Sequence, residues 1–116
     1  PVRVGFSEDC FVNGEDAEFA LDNGKLAFSH KMFDQDAIVL RDMAKAVTLC
    51  SEKGTRAVRV SYPQMDYLGI WHMPFTDAPY VCIEPWSSLP VWCIFRQGRR
   101  MRTGGASRSD KIVCAE

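Results

Sequence analysis

Apolar and polar residues alternate along much of this chain with a period of two. Residues 56–62 put Val58, Val60 and Tyr62 on one face and Arg59 and Ser61 on the other. Residues 67–73 set Tyr67, Gly69 and Trp71 against Leu68, Ile70 and His72. In residues 80–85, Tyr80, Cys82 and Glu84 oppose Val81 and Ile83. Val47 and Leu49 alternate with Ala46, Thr48 and Cys50. Shorter apolar runs lie at 19–21, 26–29 and 37–40. Turn chemistry separates these segments: Asp22-Asn23-Gly24-Lys25 is a hairpin signal, Glu52-Lys53-Gly54-Thr55 a second turn, and Pro63 and the loop 74–79 end strands. A short helix over 43–48 competes with the strand reading there, but it lacks a good cap. Half-exposed strands at this spacing predict an all-β fold of antiparallel sheets, as a sandwich or meander.

The chain has 116 residues, enough for one domain with a modest core, and its 47% hydrophobic and 25% charged content is ordinary for a soluble protein. A chain opening on Pro1 is expected to be truncated or processed. No apolar run is long enough for a transmembrane helix, and the start does not read as a signal peptide. Five cysteines, at 10, 50, 82, 93 and 114, form no CxxC pair. Neither a metal site nor a redox motif is expected, and Cys50 and Cys82 read as buried thiols in a reducing cytoplasm.

The net charge of −1 conceals two unlike parts. Residues 1–90 carry 8 Lys+Arg and 13 Asp+Glu, a balance of −5, whereas residues 91–116 carry 6 and 2, a balance of +4. The split marks residues 1–90 as the folded segment and 91–116 as an atypical basic tail. Arg96, Arg99, Arg100 and Arg102 give that tail a local positive field. No aromatic platform or nucleic-acid module accompanies it, so nucleic acid is not the expected partner.

The chemistry concentrates at Tyr80-Val81-Cys82-Ile83-Glu84-Pro85-Trp86, where a carboxylate stands in an apolar, aromatic strand. Burying a carboxylate is costly unless it is paired or near water. Burial raises its pKa, which suits a general acid or base; a strand-end Glu facing water or an arginine is the plain alternative.

Three segments in order carry a family resemblance: Phe33-Asp34-Gln35-Asp36-Ala37, Tyr67-Leu68-Gly69-Ile70-Trp71, and Ala78-Pro79-Tyr80 running into the Glu84 strand. With compatible spacing over roughly residues 19–90, they resemble the C-terminal part of the aldose 1-epimerase (galactose mutarotase) family, in its LacX-like branch. The resemblance implies a C-terminal portion of a large antiparallel β-sandwich, the supersandwich, in a chain less than half a full member's length. The first of the matching segments is a strand in the family.

It also implies roles. Glu84 would be the general base that takes the anomeric hydroxyl proton of a hexose, while a histidine protonates the ring oxygen; no metal or redox cofactor takes part. Asp34 would bind sugar hydroxyls, with Asp36 on the same strand face as an alternative. Tyr80 and Trp86 are candidates for stacking on the sugar ring, and Trp71 reads as core. The family's catalytic histidines and its sugar-binding arginine lie upstream of this region. His30 and His72, the two histidines here, read as surface or structurally satisfied. The segment alone is therefore expected to be inactive or nearly so. Alternatives are a non-catalytic sugar-binding relative and an epimerase of a hexose 6-phosphate. A fragment of a sandwich leaves open sheet edges, through which copies could associate.

The resemblance stops at Pro90. The change of charge and the absence of the family's closing "PGE" turn suggest a tail that is poorly ordered or read from a shifted frame.

Overall fold

The computed structural model describes residues 1–90 and the backbone of residues 110–114. The expected ordering and origin of the tail concern residues that lie largely outside this range. The fold is all-β. Among the described residues nine strands form two sheets: β1 (Val2–Arg3), β2 (Ala17–Glu18), β3 (Lys25–Ala27), β4 (Ile38–Arg41), β5 (Ala46–Ser51), β6 (Ala57–Ser61), β7 (Tyr67–Trp71), β8 (Cys82–Trp86) and β9 (Asp110–Cys114). The five-stranded sheet has the order β2-β1-β4-β7-β8 and is antiparallel throughout. The four-stranded sheet has the order β3-β9-β5-β6. In it β5 and β6 are antiparallel, while β9 runs parallel to both β3 and β5.

The period-two pattern sorts residues as it should. In β4, β7 and β8, Ile38, Leu40, Leu68, Ile70 and Ile83 turn to one side. They meet Leu26, Phe28, Val47, Leu49, Val60 and Tyr62 from the other sheet's side in one apolar cluster. Leu40, Leu68 and Ile70 are fully buried. Each such side chain stabilises the fold by roughly 1.5–3 kcal/mol relative to leaving it in water. Tyr62 brings its hydroxyl into this core and donates to the Ala44 carbonyl at 2.6 Å, which satisfies a polar group that would otherwise be costly.

The hairpin signal holds. Asn23 and Gly24 both take positive φ (49° and 73°), and Asp22 and Lys25 exchange two backbone hydrogen bonds of 3.0 and 2.9 Å. Three expectations are corrected, and at residues 43–48 the strand reading prevails over the competing helix. Residues 19–21 form no strand: Phe19 N–H donates to the Pro1 carbonyl, and Phe19 and Leu21 pack on the core from a strap. Residues 43–48 form no helix, and β-branched Val47 and Thr48 lie in β5 instead. Residues 33–37 are not a strand either. A 3₁₀ turn (His30–Phe33) buries Phe33, and the polar run that follows turns tightly: Asp34 N–H donates to Lys31 O at 3.2 Å and Asp36 N–H to Phe33 O at 2.9 Å. Asp36 takes φ 74°, so Asp34 and Asp36 share no strand face. Cys50 and Cys82, expected to be buried, are half-buried.

Candidate functional site

The strand carrying Glu84 begins two residues later than its pattern suggests, because Tyr80 N–H closes a turn onto the Ala78 carbonyl at 2.9 Å. Within β8, Glu84 lies opposite Gly69 and Cys82 opposite Trp71. Cross-strand partners share a face, so Tyr67, Gly69, Trp71, Cys82, Glu84 and Trp86 line the outer face of the five-stranded sheet. Glu84 is half-buried, and no hydrogen bond or ion pair joins its carboxylate to another described residue.

Gly69 explains how an indole comes to lie over the strand pair at Glu84. A Cβ at position 69 would stand 3.1 Å from Trp86 Cε2 and 3.2 Å from Cζ2. The missing side chain leaves the space that the Trp86 ring occupies. Trp71 stands diagonally across from Glu84 on the same face, and its Nε1–H donates to Asp36 Oδ1 at 2.7 Å. The half-buried Trp71 thus belongs to this face rather than to the core. Trp71 and Trp86 thus stand toward opposite ends of the β7–β8 ladder, with Gly69 and Glu84 paired between them, and the turn at Asp36 meets the Trp71 end.

A cleft of about 710 Å³ adjoins this face, lined by Gln35, Asp36, Val39 and Trp86 and roofed by the N-terminal segment. Asp16 anchors that segment. One carboxylate oxygen accepts from Gly5 N–H at 3.1 Å, and the other accepts from Arg41 Nε and Nη2, each at 3.1 Å. The Gly5 hydrogen bond above all, with Arg41 beside it, holds the Asp16 carboxyl below the usual aspartate value, against the opposing effect of partial burial.

The remaining candidates lie elsewhere. Asp34 is exposed and ends the 3₁₀ turn. Tyr80 lies 6.3 Å from Trp71, ring to ring, at the strand ends. It lines a second cleft of about 640 Å³ with Phe28, Phe33, His30 and His72. Neither histidine hydrogen-bonds Glu84. His72 is 2% exposed, not a surface residue, and its Nδ1 has no hydrogen-bond partner among the described residues. The alternation of Leu68, Ile70 and His72 carried this information, since it already placed His72 on the inward side. The contribution of residues 3–17 to the first cleft has no comparable signal, because that segment's pairing is set by Asp16 and Arg41 far apart in sequence.

Among the described residues, no cluster of three or more His, Cys, Asp or Glu could hold a metal ion, and no helix is long and apolar enough to cross a membrane. No family model, curated protein or solved structure matches the chain.

Proposed function

We propose that this chain is a carbohydrate-binding segment of an aldose 1-epimerase-like protein, with the outer face around Glu84 as its sugar site. The observation that carries the reading is a half-buried glutamate, unpaired among the described residues, on a strand face it shares with two indoles. An indole offers an apolar plane to the C–H face of a pyranose. A carboxylate beside it accepts a strong hydrogen bond from a ring hydroxyl. Asp36, held by Trp71, supplies a second acceptor at the edge of the face. Asp34, exposed on the turn, is the weaker candidate for that task.

In this reading Glu84 accepts the proton of the anomeric hydroxyl. The ring C–O bond then breaks as its oxygen gains a proton, and the aldehyde recloses on the other face to give the second anomer. The step needs a proton donor opposite Glu84. His72 is turned inward and its Nε2 is engaged by the Ala78 carbonyl at 2.7 Å, so it is not that donor. This observation favours the second reading for the segment by itself, a sugar-binding unit whose acid is supplied by another part of a longer chain or by another copy. β8 ends the five-stranded sheet among the described residues, and an added strand there would sit beside Glu84. The cytoplasm is the compartment this sugar chemistry suits.

Polarimetry on freshly dissolved α-galactose and α-glucose, paired with tryptophan fluorescence titration, tests the proposal. Sugar binding that Glu84→Gln weakens supports it. Faster anomerisation lost in the same variant, where general base catalysis typically contributes about 10²–10⁴-fold, adds catalysis to binding. Absence of any saturable response to either sugar contradicts it.

A further inference from the structure

The second cleft, on the opposite side of the sheet from Glu84, has its own chemistry. Its walls are mostly apolar, Phe28, Phe33, Leu49, Pro79 and Val81, with the exposed Ser29 and Asp77 also lining it. Into this lining comes one buried polar ring, His72, at 2% exposure. Two rings cover it. Tyr80 lies 4.8 Å from it at an interplanar angle of 31°, and His30 meets it edge-on at 4.9 Å. Both covering residues are exposed, Tyr80 to 43%, so both can move without disturbing the core.

The hydrogen bond at the far side of His72 sets its character. Nε2 lies 2.7 Å from the Ala78 carbonyl oxygen, which can only accept, so Nε2 carries the hydrogen. In the neutral ring Nδ1 then presents a lone pair. That atom is buried and has no hydrogen-bond partner among the described residues. Buried polar atoms are nearly always paired, and an orphan calls for an explanation. A concave, mostly apolar site with a small number of convergent polar groups is the usual build of a small-molecule pocket.

We infer that this cleft binds a small aromatic alcohol, whose hydroxyl donates to His72 Nδ1 while its ring takes up the space against Tyr80 and Val81. The acceptor at Nδ1 selects a donor on the ligand. The apolar walls select a ring over a sugar or a carboxylate. Entry requires His30 or Tyr80 to swing aside. The site is separate from the proposed sugar face and does not depend on it.

The test uses the full chain with 4-methylphenol and toluene, which differ only by the ring hydroxyl. Two-dimensional NMR follows the His72 ring nitrogens during each titration. The expected result is saturable binding of 4-methylphenol with a shift of Nδ1, and toluene weaker by roughly three- to tenfold, the worth of one net hydrogen bond. His72→Phe, which keeps the ring and removes the acceptor, should bring the two affinities together, and Glu84→Gln should leave both unchanged. Should His72→Phe fail to fold, the comparison of the two ligands on the unaltered chain decides the matter alone. Equal binding of the two ligands, or an Nδ1 resonance that does not move at saturation, overturns the inference.

Discussion

Ile38, Leu40, Leu68 and Ile70 on the inner face of the five-stranded sheet are all 1% exposed or less, while Trp71, Cys82, Glu84 and Trp86 on the outer face of β7 and β8 are half-buried. Neighbouring residues on the same strands are thus held to different standards. Inner positions are chosen for volume, and nearly any change there should be felt in stability. Outer positions carry aromatic and ionisable groups that the core does not need. They can change with small cost to folding and larger cost to whatever the face binds.

Breaking the inner face should have the largest effect. Leu68→Ala is expected to destabilise the fold by about 2–5 kcal/mol, read as a drop in the denaturation midpoint at unchanged slope. A loss under 1 kcal/mol would mean that the two sheets do not share the core described. Gly69→Ala probes the outer face one residue away. Its methyl must push the Trp86 ring aside, which should cost about 1–3 kcal/mol and alter Trp86 fluorescence. An unchanged emission spectrum would place the indole elsewhere. Trp71→Phe should cost roughly 0.5–1.5 kcal/mol through the lost bond to Asp36, and should weaken sugar binding if Asp36 is thereby released.

The smallest expected effect is at the N-terminal segment. Asp16 has its folded pKa lowered from 3.8 by Gly5 and Arg41. Its contribution is therefore present above that value and disappears as the pH falls through the lower folded value. Asp16→Asn should be less stable than the parent at neutral pH by no more than about 1 kcal/mol, as exposed pairs usually are. The two should converge as the pH is taken below 3.8. A constant gap across that range would contradict the Asp16 bonds.

The strands legible in the sequence were those whose pattern was long enough to repeat. β5, β6, β7 and β8 each span five or six residues, and the Asn23-Gly24 turn announced itself through residues that accept positive φ. β1 and β2, of two residues each, carry no period at all. The stretch from Phe33 to Ala37 misled because a family motif suggested a strand, whereas one buried aromatic followed by three polar residues gives a turn. The expected site was legible in part for the same reason. Glu84 and Trp86 share a strand face by periodicity alone, but the placing of Asp36 depends on a hydrogen bond to Trp71 across 35 residues of sequence. His72 was readable as inward from Leu68 and Ile70; that its Nδ1 stays unpaired depends on the loop 73–80 and could not be read.

The central claim is that the Glu84 carboxylate meets a sugar between the two indoles. The most direct measurement is the carboxyl ¹³C resonance of Glu84 during titration with galactose or glucose. The account predicts a saturable shift of that resonance, accompanied by a shift of the Trp86 indole. A Glu84 resonance that stays fixed while the sugar is bound elsewhere, or is not bound at all, would contradict it.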